Sequence, residues 1–264
     1  MSAPSGMRIA YDACPLCGAQ DSVEFMVADC SGHPLYRDPL PAQQRWLECR
    51  RCTHVYVDGY FSPSALEVLF STVQESQRPG HDVLTQRAVW SRVLDSLGAL
   101  RPTLGGRLLD VGFGNGSLMT TAAEYGYEVL GIDARQENVR LMQQLGYEAQ
   151  AVDFEAFRPD RPFDVLCMAD VLEHLPYPKR ALRHAHDLLA PGGVLFLSMP
   201  NADAFVWEAM NREGANPYWG EIEHYHNFGR ARLYQLLAGS GFEPVRYGIS
   251  ERYIACMEVI ARKA

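Results

Sequence analysis

The sequence predicts an α/β fold: a doubly wound, mostly parallel sheet of seven strands, preceded by a small β-rich module. Three observations carry this reading. From about residue 107 to residue 200, short apolar runs alternate with amphipathic helical stretches, the pattern of strand–helix–strand units that build a parallel sheet. Near the C-terminal end, FEPVRYGIS and RYIACMEVIARK are both strand-like, and the join between them is too short for a crossover helix, so they pair antiparallel. Within the first 60 residues, two Cys-x-x-Cys knuckles, CPLCG (14–18) and CRRCTH (49–54), flank short alternating segments.

In chain order, VEFMVAD and QRWLEC read as strands of the N-terminal module, and SGHPLYRDPLPAQ between them, with three prolines, reads as a loop. At Ser62 the pattern turns helical. SPSALEVLF opens with a serine cap and a proline near the first helical position, and DVLTQRAVWSRVLDSLGAL has helical periodicity. After the PTLGG link come RLLDVG (strand), SLMTTAAEYG (helix), YEVLGID (strand), ARQENVRLMQQLG (helix) and YEAQAVD (strand). FDVLCMAD, the helix PKRALRHAHDLLAPGG and the strand VLFLSMP follow, and RARLYQLLAGSG is the helix before the closing antiparallel pair. Residues 201–228 break the rhythm with a long aromatic- and histidine-rich segment, expected to be a functional loop. The boundaries are therefore a zinc-ribbon-like module over 1–60 and a main domain over 61–264, with a helical lead-in at 61–100 and a lid or acceptor segment at 201–228.

Composition narrows the function. At 264 residues and 47% hydrophobic, the chain can bury a full core. It has no apolar run of the roughly 18 residues needed to span a bilayer, so no membrane partner is expected. MSAPSGMRIAYDACPLCG lacks the basic head and apolar centre of a secretory signal, which predicts a cytoplasmic protein. The net charge of −8 counts against general affinity for nucleic acid. The N-terminal module has five arginines and no lysine against seven acids, so it lacks the basic footprint of a nucleic-acid reader.

The stretch LLDVGFGNGS (108–117) holds Gly112, Gly114 and Gly116 on alternate positions after a strand that ends in Asp110. A dinucleotide fingerprint would be spaced G-x-G-x-x-G, and its third glycine would fall on Ser117. A helix-opening loop without a ligand and a nicotinamide site are the alternatives. The D-x-G-x-G-x-G pattern resembles the main motif of class I S-adenosylmethionine (SAM) methyltransferases. VLEHLPYP, LLAPGGVLFLSMPN and EHYHNFGRARLYQLLAGSGFE are similar to later segments of that superfamily. The resemblance covers roughly residues 100–264 and implies a Rossmann-like methyltransferase fold with a reversed seventh strand. It implies that Asp133, with Ala134 beside it, holds the ribose, and that Asp153 and Phe154 hold the adenine. Phe154 as plain core packing is the alternative. It also implies that Asp110 orients the methionine amine or the loop, and that Asp170 borders the cofactor.

Cys14, Cys17, Cys49 and Cys52 form C-x2-C-x31-C-x2-C, two thiolate turns that together make a tetrahedral site for structural zinc. His33 and His54 are alternative ligands, and an iron–sulfur cluster or thiol redox chemistry are alternative uses. Two constellations could serve methyl transfer to a hydroxyl, which requires alignment and removal of a proton. The first is Asp170-x-x-Glu173-His174 after the fourth strand. It resembles a Glu-x-x-Glu-His magnesium-type motif of ubiquinone-pathway and small-RNA 2′-O-methyltransferases, with Asp in place of the first Glu. The same residues shape a loop in metal-free relatives. The second is His224, with His226 as its alternative, as a general base near Glu223. The combined expectation is a SAM-dependent methyltransferase acting on a small molecule, at oxygen, of glycan or secondary-metabolite type. An RNA or protein methyltransferase and a non-catalytic SAM-binding scaffold are the rivals. The sequence assigns no oligomeric state.

Overall fold

A computed structural model describes residues 6–100 and 105–264; the beginning of the PTLGG link and of the chain lie outside the described residues. The elements in chain order are β1 (Arg8–Ala10), β2 (Ser22–Asp29), β3 (Gln43–Cys49), β4 (Val55–Val57), β5 (Gly59–Phe61), α1 (Pro63–Leu69), α2 (Val83–Gly98), β6 (Gly106–Val111), α3 (Ser117–Glu124) and β7 (Tyr127–Asp133). They continue with α4 (Gln136–Gln144), β8 (Glu148–Ala151), β9 (Phe163–Ala169), α5 (Pro178–Leu188), β10 (Leu189–Pro200), α6 (Phe205–Arg212), β11 (His226–Asn227), α7 (Arg230–Ala238), β12 (Phe242–Ile249) and β13 (Cys256–Lys263). None of the described helices is long and apolar enough to cross a membrane.

The chain divides into two compact units that do not follow chain order. The larger comprises 73–172, 180–199 and 237–264. Its seven-stranded sheet runs β12-β13-β10-β9-β6-β7-β8. β6 is parallel to both β7 and β9, and β10 is parallel to β9, whereas β12 and β13 pair antiparallel at one edge. The central strands read as continuous apolar runs because both faces are covered. Leu108, Val165, Val194 and Phe196 pack against Trp90, Val93, Leu94 and Leu97 of α2 and Leu118 of α3. Phe113, Met119, Val139 and Met142 form a second cluster. Burial of each such large side chain is worth about 1.5–3 kcal/mol.

The smaller unit comprises the N-terminal stretch to Thr72, residues 173–179 and residues 200–236. A four-stranded sheet, β11-β4-β3-β2, carries the knuckles, and β1 pairs with β5. Cys30, Leu35, Leu40, Phe61 and Leu69 share a core with Ile222 and Tyr225. α1 begins as its sequence predicts: Ser62 accepts from the Ala65 amide and Pro63 opens the helix.

Residues 201–228, expected as a loop, instead contain α6, a 3-10 turn at Pro217–Gly220, and β11. α6 shows no long apolar stripe, since Trp207 is its buried residue. β11 is two residues long and exists because β4 supplies a partner, with His226 opposite Tyr56 and Asn227 opposite Val55. Periodicity cannot signal an element that short.

Candidate active site

In the larger unit, the turn after β6 takes left-handed backbone at Gly112 (φ +65°), Gly114 (φ +54°) and Gly116 (φ +72°). Side chains avoid this region, and at Gly112 a Cβ would also come within 2.8 Å of Val171. A Cβ at Gly114 would meet almost nothing, so the backbone there is open to a ligand. The Gly114 amide donates to Asp133 Oδ2 at 3.0 Å, and the Arg135 amide donates to Asp133 Oδ1 at 2.8 Å. Burial raises the Asp133 carboxyl above the usual range, opposed by Arg135 and those two amides. Ala134 next to it is exposed.

Asp110 is 2% exposed, and its Oδ2 has no hydrogen-bond partner among the described residues. Burial, then the charge of Asp133, pushes its carboxyl up to about 8, with Arg252 pulling the other way. A buried acid without a partner is costly unless a cation completes it. Asp153 Oδ1 accepts from the Glu155 amide at 2.9 Å. Phe154 is buried, with its ring edge-to-face to His184 at 5.0 Å between centroids.

Two residues escaped sequence reasoning, one holding this turn and one holding Asp170. Asn138, fully buried in α4, donates to the Gly114 carbonyl at 3.0 Å and to the Gln77 carbonyl at 2.9 Å. Its one signal was a polar residue among the apolar positions of the helix. Arg252, in the β12–β13 join, pairs with Asp170 at 2.8 Å, donates to Ser198 Oγ at 2.7 Å and lies 4.4 Å over the Trp90 ring. Trp90 Nε1 in turn donates to Ser117 Oγ at 2.8 Å. Asp170 itself has left-handed backbone (φ +56°).

In the smaller unit, the four cysteines converge. The sulfurs of Cys14 and Cys52 lie 3.7 Å apart and those of Cys17 and Cys49 3.6 Å apart, and all four lie within 4.8 Å of one another. Metal–sulfur bonds of about 2.3 Å in a tetrahedron require sulfurs about 3.8 Å apart, so the set fits zinc. Burial pushes the Cys14 thiol well up. For Cys49, burial is overcome by the Cys52 and Arg51 amides, which bring it down to about 7. His33 and His54 are engaged elsewhere, His33 with Glu221 at 2.5 Å and His54 with His226 at 3.1 Å.

Glu173, His174 and His224 form a second cluster in this unit, their donor atoms within 4.8 Å of one another. His174 Nδ1 donates to the Glu223 carbonyl at 3.0 Å, which leaves Nε2 as the free electron pair. His174 and His224 meet edge-to-face at 4.7 Å. Burial, then His174, pushes the His224 imidazole down to about 3, so it is neutral near pH 7. Its Nδ1 is buried without a hydrogen-bond partner among the described residues. His226 is different: its Nε2 donates to the Leu175 carbonyl at 3.0 Å and its Nδ1 accepts from His54 Nε2, so both ring nitrogens are occupied.

A family model described as a methyltransferase domain matches residues 82–247. The chain belongs to this methyltransferase family. Among curated relatives of the methyltransferase, the ubiquinone biosynthesis O-methyltransferase of Albidiferax ferrireducens is 34% identical over 133 residues, which is 47% of this chain and 50% of that one. The enzyme of the same name from Idiomarina loihiensis is 32% identical over 111 residues, 39% of this chain and 46% of that one. The chain spans about half the length of these relatives. Among solved structures, 1,6-didemethyltoxoflavin-N1-methyltransferase of Burkholderia thailandensis, bound to its substrate and S-adenosylhomocysteine, is similar at a TM-score of 0.58. It is 23% identical, and the match covers 85% of this chain and 97% of that one. Magnesium protoporphyrin IX methyltransferase of Synechocystis, with S-adenosylhomocysteine, matches at 0.57 and 20% identity over 73% and 89%. These likenesses establish the seven-stranded methyltransferase fold.

Proposed function

We propose that the methyltransferase moves the sulfonium methyl of SAM to a hydroxyl oxygen of a small-molecule acceptor, of glycan or secondary-metabolite type, in a reducing cytoplasmic compartment. The observation that carries this reading is the buried carboxyl of Asp110, whose Oδ2 has no hydrogen-bond partner among the described residues, beside an intact three-glycine turn. SAM supplies an electrophilic methyl group: the new oxygen–methyl bond forms as the sulfur–methyl bond breaks, and the hydroxyl proton leaves to a base. Asp110 receives the amino-acid ammonium, Asp133 the ribose hydroxyls, and Asp153 and Phe154 the adenine, with Ala134 and Asp170 bordering the cofactor. The curated relatives are named as O-methyltransferases, which supports oxygen as the acceptor atom. The four cysteines hold zinc in a closed structural site, which fits their sulfur spacing. The acidic balance of the first 60 residues supports a small acceptor over RNA.

In this reading His224, a weak base at about 3 whose Nδ1 has no partner among the described residues, takes the hydroxyl proton as the oxygen–methyl bond forms and that proton becomes strongly acidic. Glu173 and His174 fix its surroundings, with His226 as the structural neighbour that both of its hydrogen bonds suggest. A second reading is favoured by the clustering of Glu173, His174 and His224: a divalent cation held there would acidify the acceptor hydroxyl. An acceptor screen with methyl-labelled SAM, run with and without EDTA, tests both. Under the first reading His224→Ala lowers turnover by about 10²–10⁴-fold with SAM affinity intact, and EDTA has no immediate effect. Loss of turnover on chelation, restored by magnesium, supports the second. Calorimetry that finds NAD binding and no SAM binding overturns both.

A further inference from the structure

Gln44 is a fully buried amide in β3, between the two knuckles. Its Nε2 donates to the Glu221 carbonyl at 3.1 Å and to the His224 carbonyl at 3.2 Å. These are the two ends of one turn, which the His224 amide closes by donating to the Glu221 carbonyl at 3.1 Å. The orientation of the Gln44 amide is fixed from its other side, where Oε1 accepts from Arg8 Nη2 at 2.7 Å. Arg8 is itself anchored: Nη1 donates to the Gly59 carbonyl at 2.9 Å, and the guanidinium lies 4.2 Å over the Phe61 ring. The same turn is held at neighbouring points. The Tyr225 amide donates to the Glu173 carbonyl at 2.9 Å, and the Val57 amide of β4 donates to the Tyr225 carbonyl at 2.9 Å.

We infer that Gln44, oriented by Arg8, is a positioning residue for the Glu173–His174–His224 cluster, and that the knuckle sheet is thereby a working part of the methyl-transfer machinery. This rests on the reading of His224 as a working residue. The physical requirement is specific. Two carbonyl oxygens and one guanidinium demand a side chain that donates on one side and accepts on the other, at this length. Asparagine is too short. Glutamate keeps size and the bond to Arg8 but turns an oxygen toward two carbonyl oxygens. Leucine removes both donors to the turn carbonyls and the acceptor of Arg8 Nη2, a loss that costs more than the hydrogen bonds were worth.

The test uses the full-length, ¹⁵N-histidine-labelled protein as purified. In Gln44→Glu the turn opens. The His174 ring then loses the single-tautomer nitrogen signature imposed by its bond to the Glu223 carbonyl. The His224 amide exchanges with solvent about 30-fold faster, as expected for two hydrogen bonds of ordinary net strength. SAM affinity by calorimetry stays within about twofold, and metal content at the cysteines is unchanged. A folded Gln44→Glu protein with the His174 signature and His224 exchange unchanged overturns the inference. If Gln44→Glu does not fold, Arg8→Lys decides, because it keeps the positive charge and removes the two-pronged donor. Unchanged signals there overturn the inference as well. Full turnover in His224→Ala would remove the functional reading instead, and the His174 and His224 signals would still report on the clamp.

Discussion

Arg252 Nη1 lies 2.8 Å from Asp170 Oδ2 while the same guanidinium stacks 4.4 Å over Trp90. The pair is largely buried, with 7% and 22% of the side chains exposed. Removing one member of a buried pair strands the other, at a cost of about 3–5 kcal/mol. Arg252→Ala should therefore lower the unfolding free energy by about that amount. In the double variant with Asp170→Ala, the loss should be clearly smaller than the sum of the two single losses. Additive losses in urea titrations would show that the contact is idle.

If Asp110 receives the SAM ammonium as proposed, SAM binding should depend on pH. With its carboxyl pushed up to about 8 by burial, the acid is mostly protonated in the free protein at pH 6. A bound ammonium needs the carboxylate, so binding releases a proton and affinity rises with pH. Between pH 6 and 7.5 the gain should approach tenfold per pH unit. Calorimetry across that range should find weak and pH-independent binding in Asp110→Asn.

Elemental analysis of protein purified without added metal should find about one zinc per chain. Cys14→Ser or Cys52→Ser should destabilise the smaller unit, because metal binding supplies much of the folding energy of small modules. Fully stable, zinc-free variants would refute the assignment.

Acid should weaken the fold through histidine. His54, His224 and His226 are buried and held below the ordinary imidazole range, chiefly by desolvation, His224 to about 3 and His226 to about 4. The unfolded chain takes up these protons near pH 6.5 and the folded chain does not. Stability is therefore full above that pH and falls below it, by about 1.4 kcal/mol per pH unit for each histidine. The window runs from about 6.5 down to the depressed values. Denaturant titrations at pH 7.5 and 5.5 should differ by up to about 4 kcal/mol, and His226→Phe should reduce the difference.

The larger unit was legible because its signals are local. The β6 run with Asp110 next to its end, the left-handed turn at Gly112, Gly114 and Gly116, and Asp133 at the end of β7 each lie where signals within a few residues of chain place them. The smaller unit was legible only in pieces: strands β2 and β3, the capped start of α1, and the cysteines, whose paired spacing is itself a local signal. Its strand β11 is defined by a partner 170 residues earlier, and Gln44 acquires its meaning from carbonyls 177 and 180 residues away. Arg252 looked like one arginine in a short β-join; only the fold brings Asp170, Ser198 and Trp90 to it. Backbone carbonyls as partners leave no trace in residue identity at all.

The pairing of β11 with β4 also bears on how the chain matures. The knuckle strands leave the ribosome early, but the strand that covers the edge of β4 is synthesised some 170 residues later. Until then β4 presents unpaired backbone donors and acceptors, the kind of edge on which nascent chains associate wrongly. Closing so long a loop is slow relative to local folding. Early metal capture by the cysteines would hold a half-built sheet in register while the rest of the chain is made. Zinc scarcity during synthesis should then appear as aggregation of new protein, while enzyme that is already folded remains intact.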